Sequence, residues 1–444
     1  MDGKHCVVLG GGLAGLAAAY RLTQKGWKIT LVEATGRLGG RVKSHSFDEA
    51  PCVVCELGGE WIGDDHSEMQ RLCRIFALPL QEHRYSNSFW NQKKPGQLVA
   101  PGNWCLSPRA ARIWKNFARR FKAFGTAELR ELDKLDWWTK LEELGFSRKD
   151  LLRRDLMDST DFGETIRMNS AYTAAGEYLS SASQRVNSTD EMDFKIVGGN
   201  SRLVDALADA IGRKNIRLKW EVHRLEQKGG RVKVFSGGQS SIGADACICA
   251  VPAHCVRHID WDPELSPKKR SAAEQLQYAR ITKTAVLCSS RFWRQPKTGG
   301  YSVCMSLASD FCFDSTYAQP GQQGILCSYS IGDKADDIAA APQLELKNWI
   351  VQDVSRANGL AWSPPRIRRT AQAVKQMAWQ KDRFTGGAYA FYRPGQWFSV
   401  RPALQKPHLK VFFAGEHLAD WQGFMEGAVV TGKAAADAVL RSDP

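Results

Sequence analysis

The chain has 444 residues, 43% hydrophobic and 24% charged; this length suits two globular domains, and the composition excludes a disordered, fibrous or repeat architecture. Its 61 Lys and Arg outnumber 47 Asp and Glu for a net +14, but the cations are scattered and not gathered into a stripe with exposed aromatics, so nucleic acid is not an expected partner. No apolar run reaches the ~18 residues of a membrane span and no secretory leader opens the chain, which reads as soluble, cytoplasmic and thiol-reduced, without a membrane anchor.

Residues 4–33 read KHCVVLGGGLAGLAAAYRLTQKGWKITLVE, an apolar strand, a glycine turn, an Ala- and Leu-rich helix and a second strand. In such a βαβ unit Gly10 permits the tight turn, Gly12 lets backbone approach a pyrophosphate, and Gly15 lets the helix lie close to the sheet. The helix opens at Leu13 and Ala14, whose end supplies amides and a favourable dipole for phosphates. Glu33 closes the second strand at the distance where a carboxylate accepts the hydroxyls of an adenosine ribose, and Ala34 follows it. Within ATGRLGGRV, Gly36, Gly39 and Gly40 leave room for backbone to run along a ligand, while Arg37 and Arg41 have the reach for phosphate oxygens.

Cys52 and Cys55 form a CxxC with no second pair or His pair at zinc-finger distance, so no metal is expected and buried structural thiols are. ELGGEWIG follows at residues 56–63. The densest basic run, Arg109 to Lys122, has the spacing of an amphipathic helix with one solvated face. Cys247 and Cys249 alternate along another strand, which puts both on one face. Lys283 lies in ARITKTAVL, a β-branched run that reads as a strand, where an outward-facing Lys is the ordinary alternative to a functional one. The segment from Phe412, FFAGEHLADWQGFMEGAVVTGKAAADAVL, reads as a strand, a loop and a helix beginning near Gly423.

In this order the segments GLAG, GRLGGRV, ELGGEW, FKIVGGNSRL, WEVHRLEQ, ADACICAVP, GGAY and AGEH…WQGFMEGA resemble the flavin-containing amine oxidase family, which includes monoamine, polyamine and L-amino-acid oxidases. The resemblance implies a Rossmann-like FAD-binding domain of the glutathione-reductase type, α/β and α+β in class, interleaved with a mixed-sheet substrate domain. It divides the chain into a discontinuous FAD domain (1–79, 193–277 and 378–444) and a substrate domain (80–192 and 278–377). It places FAD against Gly10, Gly12, Leu13, Ala14, Gly15, Glu33, Ala34, Gly39, Gly40, Arg41, Gly58, Gly59, Glu60, Trp61, Val222, Trp379, Gly415, Glu416, Gly423, Phe424, Met425 and Ala428. Because Ala388 stands where monoamine oxidases carry the Cys that attaches flavin, the FAD is expected to be noncovalent.

By the same resemblance Lys283 matches the Lys that holds a water against the flavin, and Tyr389 and Phe424 match the two aromatics flanking the substrate. These three are the catalytic candidates. Phe424 stands where Tyr is common, so the aromatic wall is kept and a hydroxyl is lost. Trp61 and Trp421 are expected at the cavity. The reaction implied is hydride transfer from the amine-bearing carbon to flavin, giving an imine, with dioxygen reoxidising the flavin to yield hydrogen peroxide. A hydrophobic or aromatic primary amine is the leading substrate and an L-amino acid the alternative; the latter needs an Arg for its carboxylate, with Arg84, Arg280 and Arg393 as candidates. A demethylase-type or partner-binding relative is a further alternative without a supporting module, and the oligomeric expectation allows a homodimer.

Overall fold

The computed structural model describes residues 3–82, 89–90, 106–179, 193–237, 240–294, 303–304, 309–420 and 422–442. The opening motif folds as its residues dictate: strand His5–Leu9, helix Leu13–Thr23 and strand Lys28–Val32, the two strands parallel with His5 opposite Lys28 and Leu9 opposite Val32. The parallel sheet they begin is completed from far along the chain, in the order Val411–Phe413, Ala246–Cys249, His5–Leu9, Lys28–Val32, Ile216–Arg217.

The first strand is apolar on both faces because both are covered. Cys6 and Val8 pack with Leu16, Val429 and Ala436 on one side; Val7 and Leu9 pack with Val234, Cys247, Cys249 and Trp261 on the other. Each such aliphatic contributes roughly 1.5–3 kcal/mol on burial. Helix Met425–Arg441 closes the first face, approaching the first helix so tightly that a Cβ on Gly432 would stand 2.2 Å from the carbonyl oxygen of Ala14.

A second, antiparallel sheet runs Phe311–Asp314, Gly324–Ile331, Ile281–Cys288, Ala371–Ala378. Every residue of its strand Ile281–Cys288 is buried, and the two faces divide by the period of the strand. Val286 and Cys288 pack beneath helix Gln343–Ala357 through Leu346 and Ile350. Ala285 and Leu287 face the hairpin Ser44–Phe47 and Ala50–Glu56 through Phe47, Val53, Cys55 and Leu57. Lys283 shares that second face, so the outward-facing alternative is overturned.

Three further sequence expectations meet the structure here. The basic run forms helix Pro108–Phe121, capped by Ser107 Oγ accepting from Ala110 N at 3.2 Å, with Ala110 and Phe117 inward and its cations outward. The CxxC does not bury both thiols: Cys55 is buried and Cys52 exposed, because residues three apart on a strand point to opposite faces. The last helix starts at Met425, two residues later than its glycine suggests, since Gly423 has φ +99° and Phe424 is an extended N-cap.

Among the described residues no helix is long and apolar enough to cross a membrane, and no cluster of three metal-ligating side chains occurs.

Candidate functional site

The glycine turn is built by contacts that leave no room for side chains. Gly10 has φ +101° and its N–H donates to Val32 O at 2.8 Å; a Cβ on Gly15 would fall 2.0 Å from Gly10 O. Gly12 differs. It is the N-cap of Leu13–Thr23, and a Cβ there would meet only Gly40 Cα, at 4.0 Å. The segment after Glu33 lies across the turn: Gly39 N donates to Gly11 O at 2.8 Å, and a Cβ on Gly40 would press to 3.2 Å from Gly12 Cα. Gly12 therefore owes its lack of a side chain to open space beside a helix end and not to packing.

No side chain caps that helix and no acid lies in its first turn, so its leading amides are available to an anion. Helix Met425–Arg441 is likewise uncapped by a side chain; its first turn carries Glu426, but the two oxygens of that acid accept from Glu68 N and Met69 N at 2.9 and 2.8 Å and not from the leading amides of the helix. Glu33 accepts from Gly11 N at 2.7 Å and from Thr35 N and Oγ1 at 2.8 Å, which fixes its carboxylate at the rim of the turn. Half-buried Ala34 follows it. Trp220 N donates to Glu33 O, which brings half-buried Val222 to the same end. These features fit a dinucleotide: a backbone cradle, two uncapped helix ends and an acid at the ribose end.

The two arginines of GRLGGR do not both face that cradle. Arg37 spends its guanidinium on the loop itself, reaching Leu38 O and Val42 O at 3.1 Å and also Gly40 O, so its expected phosphate role is replaced by a buttressing one. Arg41 reaches Ala388 O at 3.2 Å and pairs with Glu416 Oε2 at 3.0 Å, with its guanidinium 5.4 Å from the Tyr278 ring centre. Glu416 Oε1 accepts from Ala390 N at 3.0 Å and Gly423 N at 2.8 Å. One carboxylate thereby ties together the GGAY segment, the GRLGGR loop and the entry to the last helix. Gly415 N donates to Thr431 Oγ1 at 3.0 Å, and a Cβ on Gly415 would collide with the His417 ring at 2.4 Å.

The ELGGEW segment crosses between the two sheets. A Cβ on Gly58 would lie 2.0 Å from Arg41 O and one on Gly59 would lie 3.0 Å from Met425 Cγ. Trp379, buried, donates its indole N–H to Leu57 O at 2.8 Å and so supports the segment. Lys283 Nζ donates to Glu60 Oε2 at 2.7 Å, Gly58 O at 2.9 Å and Glu56 O at 3.3 Å. Burial, the largest single influence, lowers its pKa, but the charge and hydrogen bond of Glu60 together with Cys327 and Tyr329 more than offset it and push the value up, so Lys283 is a cation at neutral pH. Its three protons are thus already matched, and what it offers a ligand is charge.

The other oxygen of Glu60 is held by Lys195 Nζ and by Ser315 Oγ at 3.1 Å. The Trp61 ring flanks this cluster, its centre 4.7 Å from Lys195 Nζ, and it stands edge-on to Phe313 at 5.0 Å between ring centres. Across the strand pair Lys283 stands opposite Tyr329, whose hydroxyl lies 3.1 Å from that of Tyr389. Tyr389 OH also donates to Thr160 O at 2.9 Å, and its ring is 3.9 Å from a Cβ built on Gly423. Burial raises both phenols, Tyr329 to about 12, so both stay neutral. Phe424 packs on the His66 ring at 5.4 Å. Trp61, Tyr389, Gly423, Phe424 and Ala428 all keep partial exposure.

The two carboxylate-binding candidates among the described residues do not join this site. Arg280 is consumed by Glu164, at 2.7 and 3.0 Å, and by Asp333 and Asp336, which together raise its pKa. Arg393 is exposed on the outer surface. Arg84 and Trp421 lie outside the described residues. Lys195 and Tyr329 complete the site: Lys195 lies in the FKIVGGNSRL segment, whose resemblance singled out no role for it, and Tyr329 carries no motif of its own.

A family model described as flavin containing amine oxidoreductase matches residues 13–440. The chain is 26% identical to an L-amino-acid oxidase of Vipera ammodytes ammodytes, across 99% of this chain and 93% of that one. It is likewise 26% identical to an L-amino-acid oxidase of Echis ocellatus, across 98% and 88%. In fold it resembles cyclohexylamine oxidase from Brevibacterium oxydans, with a TM-score of 0.85 at 23% identity, and putrescine oxidase bound to putrescine, with a TM-score of 0.85 at 21%; each likeness covers 99% of both chains.

Proposed function

Since the chain belongs to the flavin-containing amine oxidoreductase family, we propose that it binds FAD noncovalently and oxidises a hydrophobic or aromatic primary amine, with dioxygen as the final acceptor. The adenosine end rests at Glu33 and the Gly10 to Gly15 turn, the pyrophosphate at the amides that open Leu13–Thr23, and the ring end at the amides that open Met425–Arg441. Ala388 offers no nucleophile for a covalent link. When bound, FAD supplies the hydride acceptor and, on reoxidation, the electrons that turn dioxygen into hydrogen peroxide.

The observation that supports the amine reading is the fate of the two arginine candidates among the described residues. Arg280 is locked to three carboxylates and Arg393 faces solvent, so neither is placed to pair with an amino-acid carboxylate. What the wall does provide is Trp61, Tyr389, Tyr329 and Phe424: rigid apolar faces and neutral hydroxyls that orient an uncharged amine and exclude water. Lys283 contributes a fixed positive charge beside that space, which favours negative charge developing there. The L-amino-acid oxidase reading is favoured by the names of the relatives, which match the chain almost end to end.

Anaerobic mixing of the purified yellow protein with phenethylamine, tryptamine, phenylalanine and tryptophan separates the two. Bleaching of the flavin by the amines alone is the expected result; bleaching by the amino acids alone overturns it.

A further inference from the structure

Lys195, on strand Phe194–Ile196, is 5% exposed and lies 135 residues from its partner Glu60. Its ammonium donates to Glu60 Oε1 and to Ser315 O at 3.4 Å, and sits 4.7 Å from the centre of the Trp61 ring. Glu60 is also the counter-ion of Lys283, through its other oxygen at 2.7 Å. Three buried side chains therefore share one wall: a single acidic group bridged by two lysines. Burying ions is a poor way to gain stability, since desolvation opposes the attraction. A Glu60 and Lys283 ion pair alone would present only a dipole, whose field falls off quickly; the second lysine leaves Glu60, Lys195 and Lys283 with one net positive charge wherever the neighbouring Glu56, whose pKa burial pushes up to about 7, holds its proton.

We propose that Lys195 is a positioning residue of the flavin site: by taking one oxygen of Glu60 it leaves the charge of Lys283 only partly compensated and fixes the Glu60 and Trp61 geometry of a wall that favours a reduced, anionic ring. This rests on the FAD reading above. Lys195 acts through Glu60 and touches no reacting atom.

The test is the midpoint potential of the flavin in the purified holoprotein, read against a reference dye during slow reduction. Lys195→Gln and Lys195→Met shift it downward, so that the ratio of reduced to oxidised flavin at a fixed dye potential falls at least about tenfold, while Lys195→Arg stays within about threefold of the parent. Should Lys195→Met fail to fold, Lys195→Gln, which keeps a donor for Glu60, carries the test alone. An unchanged potential accompanied by a lower melting temperature assigns Lys195 a packing role and overturns the proposal, as does a Lys195→Arg protein that shifts as far as Lys195→Gln. A parent protein purified without flavin overturns the FAD reading itself, an outcome distinct from a flavin-bearing protein whose potential ignores Lys195.

Discussion

Lys283 Nζ lies 2.7 Å from Glu60 Oε2, and its remaining protons point at two backbone carbonyls of the segment that carries Glu60, at Gly58 and Glu56. The lysine of one sheet thus clamps the glycine loop that crosses from the other. The ammonium is buried beside three aromatic rings, those of Trp61, Phe313 and Tyr329, each with its centre within 6 Å.

Replacing Lys283 with Met removes that charge and leaves Glu60 to Lys195 and Ser315. Reoxidation of the reduced flavin by dioxygen is expected to slow by about 100-fold or more, the scale of losing one preorganised electrostatic group. Anaerobic reduction by amine changes far less. Stopped-flow traces of the two half-reactions give the comparison, and equal slowing of both contradicts the charge role. Breaking a buried pair also costs about 3–5 kcal/mol of stability, visible in urea titrations.

Gly12 and Gly15 are both glycines of one turn, yet they answer to different constraints. An alanine at 15 would drive a methyl to 2.0 Å from Gly10 O, so Gly15→Ala is expected to lose several kcal/mol or fail to fold. An alanine at 12 has space, with its nearest neighbour at 4.0 Å. Gly12→Ala is therefore expected to leave the melting temperature of the flavin-free protein nearly unchanged while weakening FAD binding by about tenfold or more, because the methyl occupies the path of the pyrophosphate. Flavin content after dialysis, set beside the melting curve, tests the pair. Equal loss of stability in both variants would show that Gly12 is a packing glycine.

Glu56 is buried, and burial pushes its pKa from 4.5 up to about 7, against the hydrogen bonds from Asn200 N at 2.8 Å and Ser44 Oγ at 2.9 Å. An acid whose folded pKa is raised holds a proton that the unfolded chain has released, so its contribution is complete below pH 4.5 and is lost as pH climbs to 7. The loss is about 3 kcal/mol at most. His66 and His417, whose pKa values burial lowers to about 4 and about 3, act in the opposite direction, because the unfolded chain binds their protons first. The readout is therefore a difference: between pH 5 and pH 8 the parent should lose more stability than Glu56→Gln. Parallel urea profiles for the two proteins would remove Glu56 as the titrating group.

The dinucleotide turn was legible in the sequence because each of its constraints is local: Gly10, Gly12, Gly15 and Glu33 act within one βαβ unit. Lys283 was recognisable only through a resemblance, since a strand lysine faces either way, and the hairpin that covers its side comes from residues 44 to 56. Lys195 and Glu60 meet across 135 residues, and Arg280 finds Glu164 across 116. No spacing rule foretells such pairs. That is why Arg280 read as available for a carboxylate when the fold had already engaged it, and why Arg37, four residues from Arg41, read as its equal. Tyr329 had no motif at all; its place follows from strand register, which sets it opposite Lys283.

That register also aims the Tyr329 hydroxyl at Tyr389. The two oxygens are 3.1 Å apart, and Tyr389 OH has a second acceptor in Thr160 O at 2.9 Å. One hydroxyl proton satisfies Thr160, so the proton between the two phenols comes from Tyr329, and the pair behaves as a single unit. Residues coupled in this way give nonadditive mutants. Tyr389→Phe should cost about 1–3 kcal/mol, because it leaves both Thr160 O and the Tyr329 hydroxyl without their partner. Tyr329→Phe should cost less, since Tyr389 keeps Thr160. The double variant should cost about as much as Tyr389→Phe alone, giving a coupling energy near 1 kcal/mol in a urea double-mutant cycle. If the two costs simply add, the hydroxyls do not bond, and the substrate wall is then two independent rings instead of a preset pair.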